Sequence, residues 1–126
     1  MDRLYEKIKD AGYEPERVVG IARGGSVPAT ILGYKFDVQV YHINVEKDGD
    51  KRIVTVDIKE DLTGKNCLLV EDNLLTGRSL GKGKNYLEKE KGAEVKTACL
   101  YTTKQTEVKP DFFIRKVDEI PKFPWE

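Results

Sequence analysis

The feature that most constrains the fold of this chain is a short apolar run that leads directly into two acidic residues. The run covers residues 67–70, and Glu71 and Asp72 follow it. A brief, uninterrupted apolar run of this kind predicts a strand that is buried on both faces, as in a parallel sheet covered by helices. We therefore expect an α/β fold in which the two acids emerge at the carboxyl end of a central strand, where open α/β sheets bind ligands.

A turn with the chemistry of a phosphate site comes shortly after the acids. Residues 76–79, Thr-Gly-Arg-Ser, offer backbone N–H groups, two hydroxyls and the N-terminus of a predicted helix, all of which suit an anion. Adjacent acids are usually only a solvated surface, but here they can accept hydrogen bonds from sugar hydroxyls beside a phosphate. The implied ligand is a sugar phosphate. A capped turn, with Ser79 as the N-cap, explains the same residues, and a cap can also serve a phosphate.

The strand, the acid pair and the Thr-Gly-Arg-Ser turn closely resemble the phosphoribosyl pyrophosphate signature of type I phosphoribosyltransferases. Residues 18–29, where a predicted strand ends in Arg-Gly-Gly, are similar to the pyrophosphate loop of the same family. Residues 118–126 are similar to the tail that covers the base in xanthine–guanine phosphoribosyltransferases. The three segments occur in the expected order and span nearly the whole chain, so together they identify it as a member of this family.

The resemblance implies a fold, a reaction and a set of ligands. The fold is α/β, a mainly parallel sheet flanked by helices in one domain over residues 1–126, with a flexible hairpin flap at residues 44–56 and a small C-terminal hood at residues 104–126. In the implied reaction, a ring nitrogen of a nucleobase displaces pyrophosphate from phosphoribosyl pyrophosphate to give a nucleoside monophosphate. Mg²⁺ is the implied cofactor, and a homodimer or larger homo-oligomer is the implied assembly.

The resemblance also assigns roles to individual residues. Arg23, Glu71 and Asp72 are the candidate catalytic residues, and the two acids contact the ribose hydroxyls and Mg²⁺, directly or through water. The other implied contacts are Arg23, Gly24 and Gly25 with pyrophosphate; Leu75, Thr76, Gly77, Arg78 and Ser79 with the 5′-phosphate; and Lys104, Ile120 and Pro121 with the base.

One position departs from the family pattern. Family members that act on 6-oxopurines usually carry an acid immediately before the Thr-Gly pair, placed to interact with N7 of the base, whereas this chain has Leu75. Lys104 and the C-terminal tail favour a 6-oxopurine, although a loop lysine and a packed apolar tail would explain them almost as well. A phosphoribosyltransferase for another base and a non-catalytic module that binds phosphoribosyl pyrophosphate or nucleotides therefore stay as alternatives.

The composition argues against other classes of partner. Basic and acidic residues number 22 each, so no net charge points to a nucleic acid polymer or an acidic membrane surface. No apolar run approaches the roughly 18 residues of a membrane-spanning helix, and we expect a cytoplasmic protein. Cys67 and Cys99 lie in apolar runs without metal-ligand spacing and are predicted to be buried thiols. The single histidine, His42, is expected to be an ordinary strand residue.

Local signals predict alternating helices and strands. Asp2 and Ser26 are candidate N-caps of the first two helices, and Gly33 is expected to end the second. An Asp-Gly pair between two alternating runs, residues 37–45 and 53–58, predicts a hairpin.

A third helix is predicted over residues 79–91. Gly81 and Gly83 weaken it by about 1 kcal/mol each, and we expect them to permit a close approach by a strand or by phosphate.

Overall fold

The computed structural model describes residues 1–74, 76–104 and 106–118, and in these residues helices alternate with strands along the chain. The helices are α1 (Asp2–Asp10), α2 (Ser26–Phe36) and α3 (Arg78–Asn85), and a π-helical turn (Tyr86–Glu90) continues α3. The strands are β1 (Arg17–Ala22), β2 (Gln39–Asp48), β3 (Lys51–Val54), β4 (Asn66–Val70), β5 (Asn73–Leu74), β6 (Glu94–Thr102) and β7 (Phe112–Lys116). None of the helices in this part of the chain is long and apolar enough to cross a membrane.

The strands form one sheet in the order β3-β2-β1-β4-β6-β5, with β7 also paired to β6. β1 pairs in parallel with β2 and β4, and β6 pairs in parallel with β4, β5 and β7. Among the described strands only β3 is antiparallel to its neighbour, β2. The predicted mainly parallel α/β fold is confirmed, and the carboxyl ends of β1 and β4 lie side by side.

Alternate residues of β4 lie in two separate cores, one on each face of the sheet. Leu68 packs with Leu4 of α1 and Leu32 of α2 in one core. Leu69 packs with Leu80 of α3 in the other, which we call the α3-side core. Complete burial of one leucine side chain stabilises a fold by about 1.5–3 kcal/mol, so the four buried positions of β4, residues 67–70, favour apolar residues. The prediction of a strand buried on both faces is therefore confirmed.

The predicted end of α2 is wrong. The helix continues past Gly33 to Phe36, and Asp37 follows in the left-handed conformation with a φ of 55°. Gly33 lies inside the helix because a Cβ there would overlap Cγ2 of Val40 on β2. The glycine thus serves close packing between a helix and a strand. The two candidate N-caps are shifted as well, since Asp2 and Ser26 are the first residues of their helices.

The predicted hairpin is present, but its second strand is shorter than expected. Asp48 of β2 pairs with Lys51 of β3 around a turn in which Gly49 has a φ of 63°. β3 ends at Val54 because the chain then turns into the α3-side core, where Ile58 is buried. The N–H group of Ile58 donates to the hydroxyl of Tyr86 at 2.9 Å, which ties this segment to the π-helical turn.

A cluster of three side chains joins β1, β2 and the segment before β4. Nε and Nη2 of Arg17 donate to the two carboxylate oxygens of Glu60 at 2.9 and 2.6 Å, and the hydroxyl of Tyr41 donates to the same carboxylate at 2.5 Å. These hydrogen bonds lower the pKa of Glu60 to about 2, and the hydrogen bonds from Arg17 have the largest effect. Arg17 stands at the amino end of β1, opposite the end where the candidate site lies.

We expect the Glu60 cluster to make stability depend on acid pH. A carboxyl group whose pKa is lowered on folding contributes stability that is present above its ordinary pKa of 4.5 and is lost as the pH falls to about 2. Glu60→Gln should therefore lower the free energy of unfolding at neutral pH and flatten its dependence on pH between those values. Urea unfolding at a series of pH values measures both effects. The exposed Glu6 of α1 supplies the control, Glu6→Gln, and an equal change in the two variants would contradict the assignment.

Candidate functional site

The two acids of the signature lie where a strand is interrupted. β4 ends at Val70 and β5 begins at Asn73, and both strands pair with β6. The N–H group of Glu71 donates to the carbonyl of Ala98 at 3.0 Å. The carbonyl of Asp72 accepts hydrogen bonds from two successive residues of β6, Leu100 at 2.9 Å and Tyr101 at 3.3 Å. These hydrogen bonds keep both acids attached to the sheet at the carboxyl end of β4, between two strands that pair with β6 in the same register.

The acid pair forms a partly buried negative site. Asp72 is only 9% exposed, and its Oδ1 accepts a hydrogen bond from the N–H group of Asn73 at 2.7 Å. Burial, together with the neighbouring Asp72 carboxylate, raises the pKa of Glu71 well above its usual value. Hydrogen-bond donors or a cation beside the pair would stabilise the two charges. Sugar hydroxyls supply such donors.

The residues around the acids fit a metal ion that is shared with a substrate. Within the described residues there is no group of three or more histidine, cysteine, aspartate or glutamate residues that could hold a metal alone. Mg²⁺ keeps several waters and is usually bound by one or two carboxylates together with phosphate oxygens. Glu71 and Asp72 match that donor set, whereas they do not form an all-protein cage.

The predicted pyrophosphate loop lies directly against the acid pair. A Cβ at Gly24 would lie 2.6 Å from Cγ of Asp72, and a Cβ at Gly25 would overlap the carbonyl oxygen of Val70. The N–H group of Gly25 donates to the carbonyl of Ile21 at 2.8 Å, which folds the loop back over the end of β1. Arg23 is exposed, and the peptide bond before it is cis. Because β1 and β4 are neighbours, the loops that follow them meet at one edge of the sheet.

The predicted phosphate turn opens α3, although its cap differs from the expected one. The helix begins at Arg78, and Gly77 precedes it with a φ of 80°. Ser79 therefore lies inside the first turn, and its expected role as the N-cap is wrong. The N–H group of Arg78 donates to Oγ1 of Thr76 at 3.3 Å. The N-cap residue itself, Gly77, makes no side-chain capping hydrogen bond, and the N-terminus of a helix favours an anion.

The segment after β6 packs against the phosphate turn, a contact that was not predicted from the sequence. The N–H group of Glu107 donates to the carbonyl of Thr76 at 2.7 Å. Earlier in the same segment, Oγ1 of Thr103 donates to the carbonyl of Leu74 at 3.2 Å. Lys104, the proposed base contact, is exposed and follows Thr103 directly. The one hint of the contact is the pair Gly77 and Gly81, which lie one helical turn apart.

The remaining predicted residues fall into two groups. Leu75, Ile120 and Pro121 lie outside the described residues. Cys67 and Cys99 are free and buried, as predicted, and burial raises the pKa of each thiol, to about 11 and about 12 respectively.

The glycines of α3 serve protein packing. Gly83 faces Ile21, Ile43 and Leu69 of three strands, as expected of a close approach to the sheet, whereas Gly81 faces Val108 of the segment after β6.

Comparisons with known proteins agree with the fold. The chain matches the phosphoribosyl transferase domain over residues 1–126. A hypoxanthine-guanine phosphoribosyltransferase of Lactococcus lactis is 31% identical over 132 aligned residues, covering 88% of this chain and 70% of that protein. An orotate phosphoribosyltransferase of Sulfurisphaera tokodaii is 30% identical over 98 residues, covering 75% of this chain and 47% of that protein.

Structural similarity leads to the same assignment. A purine phosphoribosyltransferase from Pyrococcus horikoshii has a TM-score of 0.89 to this chain at 34% identity, covering 99% of this chain and 85% of that one. The similarity therefore covers almost the whole chain and agrees with the mainly parallel sheet flanked by helices. The chain therefore belongs to the phosphoribosyl transferase domain family.

Proposed function

We propose that the protein is an enzyme that transfers the phosphoribosyl group of phosphoribosyl pyrophosphate to a 6-oxopurine base, giving a nucleoside monophosphate and pyrophosphate. The observation that carries this proposal is the contact between Gly24 and Asp72. It brings a loop suited to pyrophosphate against an acid pair suited to ribose hydroxyls. The hypoxanthine-guanine and purine phosphoribosyltransferases that resemble the chain support a purine acceptor.

The proposed ligand contacts run along the carboxyl edge of the sheet. Glu71 and Asp72 hold the ribose hydroxyls and, with oxygens of the substrate, Mg²⁺, which would neutralise charge on the departing pyrophosphate. The other proposed contacts are Arg23, Gly24 and Gly25 with pyrophosphate; Leu75, Thr76, Gly77, Arg78 and Ser79 with the 5′-phosphate; and Lys104, Ile120 and Pro121 with the base.

The proposed catalysis depends on charge and position, without a covalent nucleophile. As the bond to pyrophosphate breaks, positive charge develops on the sugar ring, and the carboxylates of Glu71 and Asp72 stabilise it. The positive end of the α3 dipole holds the 5′-phosphate and fixes the sugar against both loops. Arg23 offers a fork of N–H donors to the pyrophosphate oxygens. The flap (residues 44–56) and the hood (residues 104–126) are proposed to close the site, and the β2–β3 hairpin supplies most of the flap.

A different base is the second candidate. Leu75 stands where 6-oxopurine enzymes usually carry an acid, and one similar protein is an orotate phosphoribosyltransferase. A non-catalytic module that binds phosphoribosyl pyrophosphate is less well supported, because the Arg-Gly-Gly loop that we assign to pyrophosphate lies against the acid pair. We also propose that the protein is cytoplasmic.

A panel of nucleobases tests the proposed function. The protein is incubated with phosphoribosyl pyrophosphate, Mg²⁺ and hypoxanthine, guanine, xanthine, adenine, uracil or orotate in turn, and products are identified by mass. We expect a nucleoside monophosphate with the 6-oxopurines, because the similar purine enzymes and Lys104 favour them. Product from orotate alone would overturn the base assignment. The absence of any product, together with no rise in melting temperature at millimolar phosphoribosyl pyrophosphate, would overturn the function.

The outer face of α2 supports the proposal of a homo-oligomer. Val27 is 37% exposed and Tyr34 is 86% exposed, and the two lie on the same face of α2, two turns apart. A shallow cavity of about 420 Å³ that includes Val27 is lined by Ser26, Val27, Thr30, Ile31 and His42. A helix that is apolar on both faces is usually covered by protein on both, so we expect a second copy of the chain to cover the outer face of α2.

The oligomer proposal predicts a change of mass. Tyr34→Glu should shift the molar mass in light scattering towards that of one chain, because a charge would be buried in the contact. Lys89→Glu, a charge change on the exposed surface of the π-helical turn, is the control and should leave the mass unchanged. A wild-type protein with the mass of one chain at micromolar concentration would contradict the proposal.

A further inference from the structure

Two glycines at the start of α3 form a notch that is filled by a residue from a distant part of the chain. Gly77 and Gly81 are one helical turn apart and share one side of the helix. A Cβ at Gly77 would lie 2.5 Å from Oγ1 of Thr106 and 3.0 Å from Cβ of Val108. A Cβ at Gly81 would lie 3.1 Å from Cγ2 of Val108. Thr106 and Val108 therefore occupy the space that side chains on the two glycines would need, and Val108 is the residue that reaches both.

Residues 106–108, which we call the clip, are also tied to the phosphate turn through the backbone. The N–H group of Glu107 donates to the carbonyl of Thr76 at 2.7 Å. The clip is closed on itself because Oγ1 of Thr106 donates to the carbonyl of Val108 at 2.7 Å. The hydrogen bond from Glu107 directs the carbonyl oxygen of Thr76 towards the clip. That oxygen is thereby held by a donor of the protein and does not face an anion bound at the turn.

The ion pair between Arg78 and Glu107 is too weak to hold the clip against the phosphate turn. Nη2 of Arg78 lies 3.8 Å from Oε1 of Glu107, and the two side chains are 44% and 65% exposed. Exposed pairs of this kind are screened by water and contribute little. Val108, by contrast, is partly buried and packs against the α3-side core as well as against the two glycines. The shape of Val108 and the backbone hydrogen bond therefore hold the clip in place.

We propose that Val108 is a positioning residue, which acts through Gly77 and Gly81 to hold the phosphate turn in its binding conformation. This inference rests on the proposed function, because it assigns the 5′-phosphate to that turn. Val108 itself touches no substrate in this proposal. The clip begins two residues after Lys104, so the segment that carries the proposed base contact also supports the phosphate site.

The test compares two partly buried valines that pack against the same core. Val108 lies at the phosphate turn, whereas Val95 lies near the start of β6, at the opposite end of the sheet. The probe is ribose 5-phosphate, which carries the sugar and phosphate but no base, with calorimetry as the readout. Val108→Ala should raise its Kd about tenfold, because small displacements of positioning groups have large effects. Val95→Ala should destabilise the fold similarly and leave the Kd within about twofold of the wild-type value.

Two further variants separate shape from stability. Val108→Thr keeps the shape of the side chain but buries a hydroxyl, so it should lower the melting temperature and leave the Kd near the wild-type value. Thr106→Val removes the hydrogen bond that closes the clip without changing the core, and it should raise the Kd several-fold. If Val108→Ala does not fold, the Kd of Thr106→Val for ribose 5-phosphate tests the inference in its place.

Each outcome of these measurements has a distinct meaning. A selective loss of ribose 5-phosphate affinity in Val108→Ala and Thr106→Val, with pyrophosphate affinity unchanged, supports the inference. Equal Kd values for Val108→Ala and Val95→Ala, or an unchanged Kd in a folded Thr106→Val protein, would overturn it while the proposed function stands. A wild-type protein that binds no ribose 5-phosphate and forms no nucleotide in the base panel would overturn the proposed function and this inference together.

Discussion

Gly24→Ala is expected to lower turnover by about 10²–10³-fold, because the new Cβ would displace the carboxylate of Asp72. In the present structure that Cβ would lie 2.6 Å from Cγ and 2.7 Å from Oδ1 of Asp72. The short carboxylate can move aside, so the melting temperature should change little. Steady-state kinetics with phosphoribosyl pyrophosphate and the preferred base, alongside thermal unfolding, measures both quantities.

The neighbouring glycine provides the matched control. A Cβ at Gly25 would overlap the backbone oxygen of Val70 and lie 2.8 Å from that of Ile21, and these atoms belong to the sheet. Gly25→Ala should therefore lower the melting temperature strongly, in contrast to Gly24→Ala. The double variant Gly24→Ala, Asp72→Asn should be no slower than Asp72→Asn alone, because both changes act on one group. Additive losses in turnover would contradict the proposed route through Asp72.

Leu75→Asp is expected to raise turnover with 6-oxopurines. In the proposed reaction, wild-type turnover is slow because no carboxylate is available near N7 of the base to assist proton transfer. Such assistance usually contributes about 10²–10⁴-fold. Leu75→Asn is the control. Asparagine is similar in shape to aspartate but cannot accept the proton as a carboxylate does, so this variant should show no rise in turnover. The measurements are turnover with guanine, hypoxanthine and xanthine, melting temperature and monophosphate affinity.

The results for the Leu75 variants distinguish a wrong position of residue 75 from a wrong choice of base. A folded Leu75→Asp protein that binds monophosphate normally and gains no activity with any purine would contradict the proposed position of residue 75. A wild-type enzyme that prefers a pyrimidine would instead contradict the choice of base. In that case the leucine at position 75 would be appropriate to the reaction and would not slow it.

Local patterns were sufficient to predict β4 and the edge of the sheet where the candidate site lies. Four buried apolar residues in succession, followed by acids, are typical of a central strand that ends at a ligand site, and parallel neighbours bring their carboxyl ends together. That β1 is the parallel neighbour of β4 was not predicted, and this pairing brings the Arg-Gly-Gly loop against Asp72.

The features that were missed depend on contacts between distant residues. Gly33 has the local character of a helix end, but its partner is Val40 on the next strand. Gly77 and Gly81 leave room for Val108, which is separated from them by β6 and is not indicated by any local pattern. The break between β4 and β5 likewise depends on hydrogen bonds from Leu100 and Tyr101. A glycine is easily recognised in a sequence, but the side chain that fills the space beside it is not.

The two ends of β1 make contacts with different roles, one in stability and one in the candidate site. Arg17 at its amino end binds Glu60, and the glycine loop at its carboxyl end approaches Asp72. A strand of six residues spans about 20 Å, so the two contacts lie well beyond the range over which effects on stability usually couple. Substitutions at Arg17 can therefore change the stability of the fold while the contact between Gly24 and Asp72 stays intact. In such a protein, adaptation to a new temperature can proceed at one end of a strand without altering the chemistry proposed for the other end.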